Sequence, residues 1–432
     1  MILQNWWYTT LLNTKVGLAP PLRQDLEADV LIIGGGMSGL HTALRLVKAG
    51  KKVVVLERNI CGGSSTGKSA GFLTPDSELE LSQLVRRYGP KAADSVWGMG
   101  AGGVKLIVQA IRDYKIDCDF LEQDSLFLGI GGKGRKAVHH EAESREELNY
   151  PSVVYDEKTL PAVNAGRGYA GGIRYTGTYG INPLLYAQGL KGVLREHGVQ
   201  IFESTEVIGI KGHTAHTHLG KVTADHIVLA VDKLQKRFAE VAGNVYNAQT
   251  FMSVTEPLEE KDMRAILPGG NLMCWDSTLV YSYYRFTGDH RLILGGGSAP
   301  TTFLPMDLTE PFVIRGVIRK FKRRFPSLKH VDFIQYWPGR IDTTKDLIPI
   351  VDQDKHNPAL LYVLGCVGLP WAAFCGDYAA GRILNPAEGK ELAPYLSMDR
   401  KFLIPAGLQK VLGKIMSFAL NNAYAKYVQK GY

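Results

Sequence analysis

Residues 29–39 of this chain read DVLIIGGGMSG, a short apolar run that ends in closely spaced glycines. The apolar part predicts a buried strand of a parallel sheet. Gly34, Gly36 and Gly39 occupy positions 1, 3 and 6 of the fingerprint that binds dinucleotides. The first glycine allows a tight turn, the second lets a pyrophosphate approach the backbone, and the third lets helix and strand pack closely.

A helix and a second strand complete a βαβ unit. Met37 and Ser38 open a helix whose apolar residues recur at helical spacing. Its N-terminus offers free N–H groups and a partial positive charge to phosphates. Residues 52–58, KVVVLER, predict the next buried strand. Glu57 at its end is placed to accept hydrogen bonds from ribose hydroxyls, with Arg58 as a further cofactor contact. The unit predicts a dinucleotide but does not distinguish NAD from FAD.

The loop after this strand distinguishes the two cofactors. Residues 61–73 read CGGSSTGKSAGFL, a run of small hydrogen-bonding residues that can follow an extended cofactor. The run closely resembles the loop found at this position in the D-amino-acid oxidase family of FAD-dependent oxidoreductases. Lys68 and Ser69 stand where that family commonly has Arg-Asn, so the positive charge is kept. The cofactor contacts predicted in the loop are Ser64, Ser65, Thr66, Lys68, Ser69, Ala70 and Gly71.

Four further stretches resemble the same family in the same order, most closely its γ-glutamylputrescine oxidase-like, glycine oxidase and sarcosine oxidase branch. The resemblance covers about residues 27–385. The four stretches are residues 171–183, residues 206–207, residues 255–297 and residues 365–381. The cofactor contacts implied by the family in these stretches and at residue 339 are Val207, Gly339, Gly365, Gly368, Leu369, Pro370 and Trp371.

The resemblance implies an α/β fold, in which an FAD-binding Rossmann-like domain of the glutathione-reductase type carries an inserted substrate domain with an antiparallel sheet. The period-two pattern of residues 245–296 supports the insertion, because buried-strand patterns lie on both sides of it. The predicted divisions are an N-terminal arm (1–24), three parts of the FAD-binding domain (25–105, 166–240 and 336–390), two parts of the substrate domain (106–165 and 241–335) and a C-terminal tail (391–432).

Periodicity also predicts individual elements outside the fingerprint. Helices are expected at 77–115, 183–197 and 309–324, and strand-rich stretches at 117–130 and 150–180. A further strand is expected over 279–286. In the arm, the favoured interpretation of Trp6, Trp7 and Tyr8 is an aromatic strap on the domain surface.

The cofactor is expected to be FAD held without a covalent bond. In this family a covalent link can run through a histidine of the loop or through a cysteine near residue 339. The loop has no histidine, and Gly339 stands at the cysteine position. Cys61 at the start of the loop leaves a covalent link as the alternative.

The substrate side is expected to carry an aromatic face and an arginine. Tyr283 and Arg285 fall on one face of a predicted strand, and Trp371 lies in the closing segment. The family holds a substrate carboxylate with an arginine at the position of Ile341, one residue from Arg340. Such an offset turns a side chain to the other face of a strand. Arg340 is therefore either a carboxylate clamp through a local bulge or a structural ion-pair partner.

The resemblance implies an enzyme that oxidises the C–N bond of a small amine or amino acid, by hydride transfer to flavin N5. The product is an imine that hydrolyses. A neutral amine is the required donor, so positive charge near it would favour reaction. The acceptor is either oxygen or another electron carrier, because Ile293 stands where sarcosine oxidases have an oxygen-activating lysine. A third hypothesis is a flavoprotein subunit without turnover of its own.

Composition narrows the partners and the location. The net charge of +8 comes without a dense basic tract, so no nucleic-acid groove is expected. The five cysteines are scattered, so no metal site is expected and the cytoplasm is the predicted location. The tail combines apolar residues at helical spacing with lysines. It is expected to be a helix packed on its own domain or, alternatively, a basic amphipathic helix on the inner membrane surface or a partner.

Overall fold

The computed structural model describes residues 1–76, 78–234, 243–302, 307–402 and 404–424. Its helices are α1 (Trp6–Leu12), α2 (Met37–Lys48), α3 (Leu81–Tyr88), α4 (Pro90–Tyr114), α5 (Gly131–Glu147), α6 (Pro183–Glu196), α7 (Glu260–Arg264), α8 (Ala299–Thr302), α9 (Phe312–Arg324), α10 (Leu369–Leu384), α11 (Ala393–Leu396), α12 (Ala406–Leu412) and α13 (Lys414–Tyr424). Its strands are β1 (Ile2–Leu3), β2 (Leu26–Ile33), β3 (Val53–Leu56), β4 (Phe72–Leu73), β5 (Leu121–Glu122), β6 (Asp124–Ile130), β7 (Val153–Tyr155), β8 (Tyr169–Tyr175), β9 (Tyr179–Gly180), β10 (Gln200–Phe202), β11 (Val207–Lys211), β12 (Thr214–Thr217), β13 (Lys221–Leu229), β14 (Val245–Pro257), β15 (Leu272–Asp276), β16 (Tyr283–Phe286), β17 (Arg291–Gly296), β18 (Phe333–Thr344), β19 (Ile350–Gln353) and β20 (Leu360–Leu364).

The first sheet is built on the predicted βαβ unit. β2 lies between β3 and β13, and β10, β3, β2, β13 and β20 are all parallel to their neighbours in that order. Val30, Leu31 and Ile32 are completely buried, as expected for a strand covered on both faces. The two Gly-rich turns at residues 34–36 and 365–368 follow β2 and β20, so both lie at the carboxyl edge of this sheet. The fold class predicted from the sequence is confirmed.

The second sheet has nine strands in the order β1-β18-β14-β17-β16-β15-β6-β8-β7. The prediction of an antiparallel sheet was incomplete, because β15 pairs with β6 and β1 with β18 in parallel. β8 and β18 belong to this sheet, so the chain changes sheets after Tyr175 and after Thr344 rather than at residues 166 and 336. The predicted division at 240/241 lies outside the described residues.

Several elements differ from their predicted bounds for local reasons. The helix expected over 77–115 is divided into α3 and α4 at Gly89, whose φ of 80° breaks the helix just before Pro90. The strand expected from Leu279 begins only at Tyr283. Helix α5 had no predicted counterpart. Its sequence holds three glycines and charged residues that hide any apolar stripe, and packing against α3, β6 and β8 supports it.

The N-terminal arm is exposed over much of its length, but Trp7 is not on the surface as the sequence analysis expected. The side chain of Trp7 is 1% exposed and packs with Ala70, Leu184 and Trp337, in a core that includes side chains of the nine-stranded sheet. β1 adds to the edge of the nine-stranded sheet through β18. The aromatic residues of the arm indicated packing, but the sequence could not show that other segments cover Trp7.

The described part of the C-terminal tail packs against the loop that joins β18 to β19. Arg400 forms a buried ion pair with Asp346 (Nη2–Oδ1 2.8 Å). The ammonium of Lys345 donates to the carbonyl of Ile404 (3.0 Å). The sequence analysis favoured a tail that packs on its own domain, and these contacts agree with that interpretation. Within the described residues, none of the helices has the length and apolar character needed to cross a bilayer.

Candidate cofactor and substrate site

A cleft lies where β2, β3 and β13 end, with about 830 Å³ of open and enclosed space. Eight residues predicted to bind the cofactor line it: Gly34, Gly36, Glu57, Arg58, Ser64, Ser65, Thr66 and Val207. The other lining residues include several that the sequence analysis did not single out, among them Thr205, Asp232, Lys233 and Leu234. The last three follow β13, and only the topology, in which β13 pairs with β2, could have placed them here.

Helix α2 points its N-terminus into this cleft. Gly36 caps the helix without a side-chain hydrogen bond, and the first turn holds no acidic residue. A Cβ at Gly36 would meet only Thr66 Oγ1, at 3.5 Å, so this backbone is open to a ligand. By contrast, a Cβ at Gly39 would lie 1.9 Å from the carbonyl oxygen of Gly34. The glycines thus serve the separate purposes that their spacing predicts, namely ligand approach and close helix packing.

Glu57 is fixed at the end of β3. Its carboxylate accepts hydrogen bonds from the backbone N–H groups of Gly35 and Asn59, both at 2.8 Å. Burial raises the pKa of this carboxyl, while those two backbone hydrogen bonds oppose the rise. Each carboxylate oxygen can accept a second hydrogen bond. The group therefore retains the capacity to accept from the hydroxyls of a ribose.

The backbone of residues 62–71, which we call the flavin loop, is held from outside. Four of its carbonyl groups accept hydrogen bonds from the arm or from the nine-stranded sheet. These bonds are Asn5 Nδ2–Gly67 O (2.6 Å), Trp337 Nε1–Lys68 O (3.0 Å), Trp7 Nε1–Ser69 O (2.8 Å) and Arg285 Nε–Ala70 O (2.7 Å). The path of the loop is thus set largely by its main chain, while the side chains of Ser65 and Thr66 add hydrogen bonds to Arg340 O and Met37 N.

The closing segment is built as the sequence predicts, at the start of α10. Gly365 and Gly368 have φ values of 68° and 88°, a region that favours glycine. Leu369 and Pro370 form the first turn, and Gly368 caps it without a side-chain hydrogen bond. The indole N–H of Trp371 donates to the carbonyl of Pro75 (2.8 Å), which connects this segment to the chain just beyond the flavin loop.

Comparison with known proteins identifies the family. Residues 29–382 match the family described as FAD dependent oxidoreductase. This chain belongs to that family. The chain is 30% identical to the gamma-glutamylputrescine oxidoreductase of Escherichia coli (strain K12), over 76% of its own length and 77% of that protein. It is 28% identical to the probable oxidoreductase OrdL of Haemophilus influenzae, over 95% and 94% of the two chains.

A solved structure supports the fold. Glycine oxidase from Geobacillus kaustophilus superposes with a TM-score of 0.74 and 18% identity, over 87% of this chain and 99% of that one. The cofactor of the oxidoreductase is FAD, as the flavin loop predicts. The open backbone at Gly36, the acceptor Glu57 and the uncapped N-termini of α2 and α10 fit its phosphates, ribose and ring system.

An aromatic group lies beside the flavin loop, on the nine-stranded sheet. The ring centroids of Phe72 and Tyr283 are 6.1 Å apart and nearly perpendicular, and those of Tyr281 and Tyr283 are 5.6 Å apart. Trp275 packs against Phe72 at 6.4 Å. Phe72, Tyr281 and Tyr283 each remain partly exposed. Tyr283 thus lies next to Phe72, directly after the flavin loop, and its role toward a substrate stays a prediction.

Three carboxylates adjoin these rings, and the sequence analysis missed them. Asp76, Glu78 and Glu80 alternate directly after the flavin loop. Their hydrogen bonds are Tyr175 OH–Asp76 Oδ1 (2.7 Å), Tyr281 OH–Glu78 Oε1 (3.2 Å) and Trp275 Nε1–Glu80 Oε1 (2.8 Å). Burial raises the pKa of Asp76 to about 6 and that of Glu78 to about 7. In the sequence, only the alternation of acidic residues could have indicated these three carboxylates. Such alternation is also typical of an exposed strand.

We call Phe72, Asp76, Glu78, Trp275, Tyr281 and Tyr283 the acidic aromatic cluster. Behind it lies Arg145, whose Nε is bonded to Glu141 (2.9 Å) and whose guanidinium carbon lies 3.7 Å from the ring centroid of Tyr175. This arginine partly offsets the negative charge of Asp76 and Glu80. Two of the three carboxyls thus share this one arginine, and burial raises the pKa of all three.

Arg285 does not face a substrate, contrary to the sequence analysis. Its side chain is completely buried, and its guanidinium donates to the main-chain carbonyls of Ala70, Ile181 and Phe286. Burial lowers its pKa to about 10. The period-two pattern placed Arg285 on the same face as Tyr283, but the flavin loop covers that end of the strand. Arg285 therefore holds together the flavin loop, the segment before α6 and β16.

The sequence left two roles open for Arg340, a carboxylate clamp and a structural ion-pair partner. The structure supports the second. β18 pairs with β14 without a register shift from Phe251↔Pro338 to Val245↔Thr344, so no bulge brings Arg340 to the face of Ile341. Its Nε lies 2.6 Å from Oδ1 of Asp307. Its carbonyl accepts a hydrogen bond from Ser65 Oγ (2.8 Å). Arg340 thus supports the flavin loop through its backbone.

Proposed function

We propose that this chain uses bound FAD to oxidise the C–N bond of a small amine or amino acid. The observation that carries the proposal is the position of the acidic aromatic cluster. It begins at Phe72, directly after the flavin loop, and Trp371 of the closing segment is bonded to Pro75 within the same stretch. A molecule at the cluster would lie between both flavin-binding segments and the strand that carries Tyr283.

The cluster is suited to an amine that arrives as a cation. Carboxylates and the faces of Tyr281 and Tyr283 both attract an ammonium group. The amine must lose a proton before its C–H bond can give up a hydride. Glu78, whose pKa burial raises to about 7, is poised to accept that proton near neutral pH. Buried aromatic residues around it exclude water from the reacting carbon.

When bound, FAD supplies the two-electron oxidant, and the product is an imine that water hydrolyses. The protein orients the amine between Tyr283 and the flavin loop and holds the released proton at Glu78. A non-covalent cofactor is part of the proposal. Cys61 is completely buried, and burial together with Glu203 raises the pKa of its thiol, so it is a poor nucleophile.

An anaerobic amine screen tests this function. The purified flavoprotein is mixed under argon with primary amines, diamines and α-amino acids while the flavin absorbance is recorded. We expect rapid bleaching with at least one amine and recovery of colour when oxygen or a quinone is added. If no amine or amino acid bleaches the flavin, the proposal is wrong. Precipitation with acid should release all the flavin, and flavin that stays on the polypeptide would contradict non-covalent binding.

A second candidate is a dehydrogenase that passes electrons to a quinone or a carrier at a membrane surface. The tail favours it, because Val411 and Ile415 expose most of their apolar side chains to solvent. The same screen separates the two candidates. Stoichiometric hydrogen peroxide during turnover under air supports the oxidase, whereas slow reoxidation by oxygen and fast reoxidation by a quinone supports the dehydrogenase.

A further inference from the structure

The two C-terminal helices, α12 and α13, have an inverted arrangement of polarity. The apolar side chains of Leu408, Val411, Ile415 and Met416 are 44%, 82%, 61% and 53% exposed. Polar Ser417 and Asn421 of the same segment are 0% and 1% exposed. A helix that packs on its own domain normally shows the reverse pattern. The segment therefore buries polar groups against the protein, beside the ring of Phe418 that packs on Tyr246 (5.2 Å between ring centroids), and presents these four apolar side chains outward.

Polar contacts hold the segment in this orientation. The amide groups of Asn421 and Asn422 both donate to the carbonyl of Lys345, at 3.1 and 3.0 Å. Gln409 Nε2 donates to the carbonyl of Gly243 (2.9 Å) and Lys414 Nζ to that of Val245 (3.0 Å). Because these bonds fix the inner face of the segment, they also hold its apolar residues in their outward position.

The exposed apolar residues occur on both helices. Leu408 and Val411 of α12 are exposed, as are Ile415, Met416 and Ala419 of α13. Within each helix these residues include neighbours three or four positions apart, which lie on the same face. Gly413, with a φ of 77°, separates the two helices. We call these five residues the outer apolar row. Exposed apolar residues grouped in this way mark an interaction site.

The charge of the segment selects the class of partner. Residues 401–432 contain five lysines, no arginine and no acidic residue. Lys410 is exposed on α12, and Lys401 is exposed in the segment before this helix. Lys426 and Lys430 lie outside the described residues. An apolar stripe flanked by lysines without any opposing acid is the pattern of a helix that lies in the interface of an anionic bilayer.

We propose that the outer apolar row and its lysines dock this enzyme on an anionic lipid surface. The row inserts among the acyl chains at the headgroup boundary, and the lysines bind lipid phosphates. A second copy of the chain would bring two lysine-rich, acid-free segments together, so charge opposes it as the occupant. The inference concerns location, and it stands whichever electron acceptor the enzyme uses.

Vesicle co-sedimentation of the full-length flavoprotein tests the proposal. The vesicles are phosphatidylcholine alone or phosphatidylcholine mixed with phosphatidylglycerol. We expect binding to the mixed vesicles, at least about tenfold weaker binding to neutral ones, and loss of binding at high salt. The double variant Val411→Asp/Ile415→Asp should lose binding, and Lys410→Glu should weaken it several-fold. Equal binding to both vesicle types, or none to either, would overturn the proposal.

A matched control separates docking from general stickiness and misfolding. Leu279 is 92% exposed in the segment before β16. Leu279→Asp should bind mixed vesicles as the wild type does, and every variant should keep its flavin content and melting temperature. A Leu279→Asp variant that also loses binding would contradict the assigned surface. Sedimentation velocity without lipid gives a further outcome, because a dimer that Val411→Asp/Ile415→Asp dissociates would make a second copy the occupant and refute lipid docking.

Discussion

The indole N–H of Trp7 donates a hydrogen bond of 2.8 Å to the carbonyl of Ser69. This bond links the first helix of the chain to the flavin loop across more than sixty residues of sequence. Trp7 is buried among side chains of the flavin loop, α6 and the nine-stranded sheet, so it joins the flavin loop to that sheet.

Trp7→Phe tests this link, because phenylalanine keeps most of the bulk and removes the donor. A buried carbonyl left without its donor costs about 1–3 kcal/mol. We therefore expect FAD affinity to fall roughly tenfold, as measured by titration of the apoprotein. Trp6, which packs over Arg291 and donates no bond to the loop in the described contacts, provides the control. Trp6→Phe should bind FAD as the wild type does, and equal losses in both variants would count against the specific bond.

Two glycines of the fingerprint should respond to alanine in opposite ways. A Cβ at Gly36 meets only open space near Thr66, so Gly36→Ala should fold normally and lose FAD affinity by about tenfold or more. A Cβ at Gly39 would overlap the carbonyl of Gly34, so Gly39→Ala should be destabilised by several kcal/mol. Melting curves of both apoproteins and FAD titration of the first check the pair. A stable Gly39→Ala variant would show that the backbone adjusts more than the contact distance allows.

Glu78 should govern the pH dependence of turnover. The carboxyl is protonated below pH about 7 and ionised above it, so kcat/KM for an amine should rise with pH through about 7. In Glu78→Gln this rise should disappear, and kcat/KM at pH 8 should fall by about 10²-fold. Glu122→Gln changes an exposed acid on β5 and should keep the wild-type profile. A Glu78→Gln profile that still rises near pH 7 would assign the proton acceptor elsewhere.

The same carboxyl should weaken the fold at high pH. Burial raises its pKa above the unfolded value of about 4.3, so the folded state binds the proton more tightly. Its contribution to stability is present at low pH and is lost as the pH rises from about 4 to about 7. Glu78→Gln should accordingly raise the melting temperature more at pH 8 than at pH 5. An increase of equal size at both values would mean that titration of Glu78 is not the cause.

Arg285 should matter for the cofactor and for stability, and not for substrate charge. Arg285→Lys keeps a positive charge but cannot reach three carbonyls with one ammonium group. We expect a lower melting temperature and lower flavin content, with an unchanged KM for amines in the molecules that retain FAD. An increase in KM without a change in flavin content would restore the substrate-clamp interpretation.

The cofactor half of the site was predictable because its signals are local. The fingerprint glycines, Glu57 and the flavin loop lie close together in sequence, and each residue type has one physical use at its position. The substrate half depends on contacts between distant segments. The pattern that placed Arg285 beside Tyr283 could not reveal that Ala70 and Ile181 cover it, and the acids at residues 76–80 gain meaning only from Trp275 and Tyr281.

The tail shows the same limit in another form. Helical spacing indicated that Leu408, Val411 and Ile415 belong to helical structure, yet a spacing pattern shows neither the break at Gly413 nor which face is turned inward. Here the buried bonds of Asn421 and Asn422 to Lys345 decide the orientation. Sequence patterns favour an inward apolar face because that is the common case, and this segment is an exception.

The flavin loop is held by its carbonyl groups, which every amino acid possesses. The loop's shape therefore depends on the donors Asn5, Trp7, Arg285 and Trp337 as well as on its own glycines, of which Gly67 and Gly71 leave no room for a Cβ. Residues that never reach the cofactor should thus be as intolerant of substitution as residues that touch it. A deep substitution library selected only for flavin retention would place intolerant positions in the first helix and in the nine-stranded sheet as well as around the cofactor.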